Sequence, residues 1–394
     1  MKLKTLTASI LLSTLPTAGV FAAALDRSGQ SISAFLQPGN YFEAGISVLD
    51  PDVSGSNSNG KISDMGEDYY FPSAALKIQA TNNISLGLLY DQPFGADAYY
   101  SDGVINSALG PRSLNGTNVE VKTNNLTALV GFQPNENLNL YGGATYQDVR
   151  GNITLTSLGY SANFKKDDGF GWLVGAAYQI PEIALKLSLT YRSEVDHELE
   201  TQETVNLPAP VNGLNPFFTG ASEDTKLSTP QSVNLDFQTG IMENTVAFAN
   251  VRWVEWGGYG IDIDKFRKVT GTLVTMNPSD PTNASKGQNI IDYKNDQWSA
   301  NLGVGRKLND QWSGALSVGW DSGAGNPVTA LGPTDGYWNV GLNAQFSPTP
   351  STFIGAGVKY FWLGDAEGKS VGTTVGNFDD NTALAYGLKI GYRF

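Results

Sequence analysis

Apolar and polar residues alternate with a period of two, in short blocks, along nearly the whole chain. In the last block, Leu384, Tyr386, Leu388, Ile390, Tyr392 and Phe394 fall on one side of an extended strand. Ala383, Ala385, Gly387, Lys389, Gly391 and Arg393 fall on the other. Successive strand side chains point to opposite faces, so one face is apolar and the other is small or cationic. A soluble edge strand with that apolar face would invite aggregation. A transmembrane barrel strand needs it, with lipid on one side and the lumen on the other. The same alternation recurs, for example at Phe42, Ala44, Ile46, Val48; at Ile84, Leu86, Leu88, Tyr90; and at Trp338, Val340, Leu342, Ala344, Phe346. Fourteen such strands are predicted, an even number, as in closed antiparallel barrels made from a single chain.

The connections alternate as well. Short turns at 81–83, 134–137, 181–182, 242–244, 309–310 and 347–350 follow the even-numbered strands. Long polar segments at 50–69, 92–117, 147–168, 193–226, 257–297, 321–336 and 363–380 follow the odd-numbered ones. Outer-membrane barrels have this sidedness, with short periplasmic turns and longer outer loops, and it would put both termini in the periplasm. Aromatics near strand ends, such as Tyr41, Trp253, Trp312 and Trp362, fit interfacial girdles. A soluble sandwich or solenoid would alternate too, but it explains neither the loop pattern nor the aromatic closing strand. The expectation is an all-β, transmembrane antiparallel barrel in the outer membrane of a Gram-negative bacterium.

Composition changes the picture at three points. Lys2 and Lys4, the apolar run 6–15 and Phe21-Ala22-Ala23-Ala24 read as a secretory signal peptide over 1–23, too short to span a bilayer. The mean hydropathy of −0.20 would suggest a soluble protein. It misleads, because barrel strands average lipid-facing and lumen-facing residues to near zero. The net charge of −13 argues against nucleic acid, which requires a basic footprint.

Candidate chemistry is sparse. With no cysteine, thiolate and disulfide chemistry is excluded. The single histidine, His197, has no nucleophile elbow to serve, and no phosphate loop or His/Cys zinc cluster is present. Asp262, Asp264, Asp379 and Asp380 lack calcium-loop spacing. No enzyme, cofactor or metal is expected.

The lumen face suggests the cargo. Inward positions include Leu89, Leu129, Tyr141, Leu173, Ala177, Phe248 and Val254. Inward cations include Lys77, Lys186, Arg192, Arg252, Lys307, Lys359, Lys389 and Arg393. A partly apolar interior with a few fixed charges suits an amphiphile with one anionic head; packing of these residues against a plug is the alternative. Residues 24–39 precede the first strand and are long enough for a short hatch in the lumen, or they form a frayed tail. The barrel itself would occupy 40–394. The fourth long segment, 193–226, carries Leu207-Pro208-Ala209-Pro210-Val211 and Leu214, Phe217 and Phe218. Such an exposed apolar loop would capture a ligand, pack on its neighbours or dip into lipopolysaccharide.

Several stretches are similar to one family. They include Leu25-Asp26-Arg27-Ser28-Gly29-Gln30, Tyr90-Asp91-Gln92-Pro93-Phe94-Gly95-Ala96, Thr190-Tyr191-Arg192-Ser193-Glu194-Val195, Trp253-Val254-Glu255-Trp256 and the 381–394 ending. In their order, spread over the whole mature chain, they resemble the FadL/TodX (OMPP1) family of outer-membrane transporters for long-chain fatty acids and hydrocarbons. The resemblance implies a fourteen-stranded barrel, an amino-terminal hatch, capture of ligand by the outer loops at 147–168 and 193–226, and sideways release where the third strand is kinked. It places head-group cations on or beside Arg150 and Lys294, the kink near Pro93 and Gly95, and capture contacts on the loop with Leu214, Phe217 and Phe218; the inward Leu89, Leu129, Tyr141, Leu173 and Phe248, read from the alternation, would supply the apolar contacts inside. One departure is Gln37-Pro38-Gly39 where the family hatch often ends in Asn-Pro-Ala. The implied function is passive uptake of hydrophobic molecules by a monomer, most simply long-chain fatty acids. A hydrocarbon or aromatic-compound channel, a hydrophilic-solute porin and a structural or adhesive surface protein are the alternatives.

Overall fold

A computed structural model describes residues 25–107, 110–275 and 287–394. The signal-peptide expectation over 1–23 lies outside the described residues. Fourteen long strands form one sheet: β1 (Tyr41–Asp52), β2 (Tyr69–Gln79), β3 (Ile84–Asp91), β4 (Asn118–Phe132), β5 (Leu138–Leu155), β6 (Tyr160–Ile180), β7 (Leu185–Arg192), β8 (Ser232–Met242), β9 (Thr245–Val254), β10 (Gln297–Lys307), β11 (Trp312–Asp321), β12 (Tyr337–Phe346), β13 (Thr352–Leu363) and β14 (Thr382–Arg393). Each pairs antiparallel with the next, and β14 returns to β1 from Tyr41↔Arg393 to Asp52↔Thr382, which closes the barrel.

The register follows from the alternation. On β14 all six apolar residues of the closing block are exposed, whereas Ala383, Ala385 and Lys389 are buried inside. A one-residue slip would carry Lys389 to the apolar outer face, so the pattern pins the pairing. The band of exposed Leu, Val, Ile and Trp continues around the barrel, including Leu86, Val130, Trp172, Leu302, Leu316 and Leu342. This is the surface a bilayer covers.

One connection differs from the sequence expectation. Instead of a polar loop at 147–168, the β5–β6 ladder continues to Leu155↔Tyr160 and leaves only 156–159 as a turn. Val149, Ile153 and Leu155 carry the inward alternation on and are buried. Between Val149↔Asp167 and Gly151↔Phe164 the register shifts by one extra residue on β6, and this masks the pattern on that strand.

The other long connections are structured. Short strands at Gly55–Asn57, Gly60–Ile62, Val328–Thr329, Ala366–Ser370 and Thr373–Phe378 knit three of them into one small sheet. Helix α1 (Asp264–Thr275) lies in the connection after β9, and a 3-10 helix, Asn212–Phe218, in that after β7. Beneath them is the main apolar core, which includes Val53, Met65, Phe266, Val269, Phe361, Val375 and Phe378.

Residues 25–39 lie inside the barrel, folded around a turn in which the Phe35 N–H donates to the Ile32 carbonyl (3.0 Å). Phe35 has no exposed surface and packs with Ile32 and Leu36 against Leu129, Tyr141 and Leu173, with Leu89 at the edge. Phe35 and Tyr141 meet edge to face at 5.9 Å. A Cβ on Gly87 would come within 2.4 Å of the Phe35 ring, so only glycine fits there. The turn ends on carbonyls that face cations: Lys77 Nζ donates to Gln37 O (2.5 Å) and Lys186 Nζ to Leu36 O (2.8 Å). Above it, Arg252 Nε donates to Asp26 Oδ2 (2.8 Å).

Of the two readings open for the inward apolar residues, packing against a plug is what Leu129, Tyr141 and Leu173 do here, with Leu89 at the edge. Among the inward cations, Lys77 and Lys186 are engaged by hatch carbonyls and Arg252 by Asp26. Alternation tells which residues face inward, but not what fills the space they enclose.

Candidate functional site

The ladders of the barrel wall are interrupted just beyond the end of β3. The β2–β3 ladder stops at Ala74↔Tyr90, although β2 continues outward to Tyr69 and stays paired there with β1. Residues 69–73 therefore present an edge with no partner in β3. On the other side, β3 leaves the β4 ladder at Asp91↔Asn125, and pairing resumes at Gly95↔Lys122 through the short strand Gly95–Tyr99. Three residues, Gln92, Pro93 and Phe94, stand against two, Thr123 and Asn124, which makes a bulge. Pro93 has no N–H for a ladder bond. The Thr123 hydroxyl serves the break by accepting from Phe94 N (2.9 Å) and donating to Phe94 O (2.7 Å). Further out the gap closes again, where Tyr99 N donates to Met65 O (2.9 Å). The result is a bounded window in the wall.

The amino-terminal segment stoppers this window. Arg27 N donates to Pro93 O (2.6 Å), and Gly95 N donates to Leu25 O (2.8 Å). Tyr69 reaches across from β2: a Cβ on Gly95 would lie 2.1 Å from its hydroxyl oxygen. The Arg27 guanidinium sits 5.8 Å from the Tyr69 ring centre. Pro93 and Gly95, the residues singled out for a kink, thus stand just beyond β3 at the bulge and at the start of the resumed strand.

Directly above is a tight apolar cavity with about 30 Å³ of free space, walled by Leu25, Phe94, Val149, Ile153, Phe164, Leu199, Trp256 and Ile261. Trp256 organises it: its ring meets Phe94 at 5.7 Å and Tyr259 at 4.9 Å, and its Nε1–H donates to Gln297 Oε1 (2.8 Å). Leu25 and Phe94 belong to both the cavity floor and the stoppered window. Arg150 lines the cavity but is itself exposed.

Lys294 lies elsewhere. It is exposed on a separate, larger cavity of about 510 Å³ among the outer loops, shared with Arg267, Gln288, Asn289, Asp292 and Lys369. The two head-group candidates are therefore not brought together. Leu214 packs on the main core and Phe218 is buried in it, whereas Phe217 is 56% exposed. Phe248 borders a lower cavity of about 110 Å³ with Leu36 and Lys186. Val149, Ile153 and Trp256 line this cavity and were not among the site residues singled out from the sequence. The alternation of Val149, Ile153 and Leu155 beyond residue 147 was the available signal.

His197 sits in a buried network near the same cavity. Its Nδ1 is 3.2 Å from Asp167 Oδ2 and its Nε2 is 3.0 Å from Gln147 Oε1, which also accepts from the Thr229 hydroxyl (2.7 Å). Burial holds the imidazole below its usual pKa, against the pull of Asp167. No nucleophile in catalytic geometry adjoins it among these contacts; the network joins the loop strand Val195–Leu199 to β5 and β6. Asp262 and Asp264 are bound to Arg267 (2.6 Å) and Lys268 (2.7 Å).

Residues 30–394 match the family model for outer membrane protein transport proteins (OMPP1/FadL/TodX). No curated protein matches the sequence. Among solved structures, a Pseudomonas aeruginosa FadL homologue aligns over 96% of this chain and 97% of its own, with a TM-score of 0.71 and 14% identity. The P. putida toluene transporter TodX aligns over 91% and 90%, with a TM-score of 0.59 and 12% identity. The CymD monoaromatic hydrocarbon channel aligns over 96% of both chains, with a TM-score of 0.56 and 11% identity.

Proposed function

The chain belongs to the OMPP1/FadL/TodX family of outer-membrane transport proteins, and on that premise we propose that it takes up long-chain fatty acids passively and releases them sideways into the bilayer. The family's transport of hydrophobic compounds is the coarse part of this reading. The finer part rests on one observation: an apolar cavity whose floor, Leu25 and Phe94, is also the stopper of a window in the wall. Withdrawal of residues 25–28 would open the cavity floor and the window in one movement. A chain of about 18 carbons gains roughly 0.8 kcal/mol per CH₂ by staying out of water, so a lateral exit is favoured over a periplasmic one.

In this reading cargo lands on the outer loops near Phe217, passes into the cavity with its head at Arg150, and displaces the hatch segment. Both termini are periplasmic, and the protein works as a monomer. The test is uptake of labelled oleate by a strain that lacks its own fatty-acid transporter. Uptake above the empty strain, reduced in Arg150→Ala, supports the reading; uptake equal to the empty strain refutes it.

A second reading is a channel for neutral hydrocarbons. Two observations favour it: Arg150 and Lys294 do not converge on one site, and the cavity walls are apolar. Labelled toluene uptake without oleate uptake would select it.

A further inference from the structure

The last residue of β7, Arg192, points into the lumen and is 8% exposed. Charged groups near it are already engaged. Asp91 accepts from the Ser28 hydroxyl (2.5 Å), Asp236 accepts from the Asn250 amide (2.7 Å), and Arg252, the neighbouring cation, is paired with Asp26 (2.8 Å). Arg192 itself forms no ion pair among the described residues, and its buried Nη1 has no hydrogen-bond partner. Native proteins seldom bury a guanidinium N–H without an acceptor, so an unpartnered one calls for an explanation.

The surroundings supply one. Arg192 lines a cavity of about 60 Å³ with two unlike sides. Ser31, Asn125 and Thr127 make a polar side, and Phe71 and Leu89 an apolar one. Phe71 belongs to the unpaired edge of β2, so the apolar side is the inner lip of the window. Two carboxylates line this cavity: Glu43 is paired with Lys389 (3.0 Å), and the bond of Asp91 to Ser28 ties its repulsion of a second anion to the docked hatch segment.

We propose that Arg192 is an anion station at the exit: it receives the carboxylate head of the departing amphiphile while the tail threads the window. This rests on the fatty-acid reading above. A carboxylate cannot lead into hydrocarbon, because an isolated buried charge is strongly disfavoured. A fixed guanidinium holds the head on the lumen side, by paired charge-assisted hydrogen bonds, until the tail is in lipid. The station would distinguish acids from neutral chains of equal length.

The experiment compares initial uptake of oleate and of oleyl alcohol in wild type, Arg192→Met and Arg192→Lys, with heat-modifiable gel mobility as the check on folding. Expected is a loss of about tenfold or more for oleate in Arg192→Met, little change for the alcohol, and substantial recovery in Arg192→Lys. Equal losses for both cargoes, or no loss for oleate, would overturn the proposal. If wild type imports no oleate, the fatty-acid reading fails on its own. The station is then decided by carboxyl-labelled octanoate binding to purified protein in an Arg150→Ala background. Binding that disappears in Arg192→Met supports it, and binding that persists refutes it.

Discussion

Removing the Asp26 carboxylate should release the upper hatch. Arg252 is buried beside it and donates to both its oxygens, at 2.8 and 3.4 Å. It also donates to Asn234 (2.7 Å), Gln30 (3.0 Å) and Ser232 (3.2 Å). Removing one member of a buried pair typically costs about 3–5 kcal/mol, because the other charge stays buried. The three remaining acceptors still serve Arg252, so the lower end, about 3 kcal/mol, is the working value for Asp26→Ala. That shifts the closed-to-open ratio of residues 25–30 by roughly two orders of magnitude. The chain has no cysteine, so Ser28→Cys gives a single thiol in the buried segment. Its labelling by a membrane-impermeant reagent should accelerate about 100-fold when Asp26→Ala is added. Arg252→Met should act alike, and the double variant should add little beyond either, since both remove one interaction. A labelling rate within about twofold of the parent would refute the clamp.

Three further outcomes are expected. Phe35→Ala should destabilise the hatch turn by about 3–5 kcal/mol and raise single-channel conductance in planar bilayers; unchanged conductance would mean that the turn is not anchored by this ring. Gly95→Leu should cost about 1–3 kcal/mol in thermal unfolding, because its side chain must displace Tyr69, and Tyr69→Ala in the same chain should recover most of that loss. Glu203 accepts from Lys265 N (3.1 Å), Phe266 N (3.0 Å) and the Tyr160 hydroxyl (2.8 Å) at the start of α1, and burial raises its pKa despite these donors. The folded loops then hold its proton more tightly than the unfolded chain, so their stability should fall as pH rises through the window above the ordinary carboxylate range. Hydrogen exchange of α1, corrected for intrinsic rates, should show this, and Glu203→Gln should flatten it.

The barrel was legible because lipid outside and lumen inside impose a strict period of two. Leu384 through Phe394 carry that signal without ambiguity, and the turn lengths carry the sidedness. The window in the wall was legible only in part. Pro93 and Gly95 mark a local backbone requirement, and such requirements survive in sequence. What an inward Leu129 or Tyr141 touches does not, since the partner, Phe35, is about a hundred residues away. What an inward lysine serves is hidden for the same reason: Lys77 bonds a backbone carbonyl, which leaves no trace in residue type. Arg150 and Lys294 illustrate the converse. Each is a cation near a cavity, but whether two cations converge depends on how loops pack, and these loops pack through an apolar core of scattered residues.

The central claim is that cargo crosses the wall between β2 and the segment after β3. The direct measurement uses Tyr69→Cys with Gly95→Cys, joined across the window by a short reagent with a reducible link. Oleate uptake should stop on cross-linking and return on reduction, while both single-cysteine variants stay active after the same treatment. Uptake that continues at the same rate with the window bridged would contradict the lateral route.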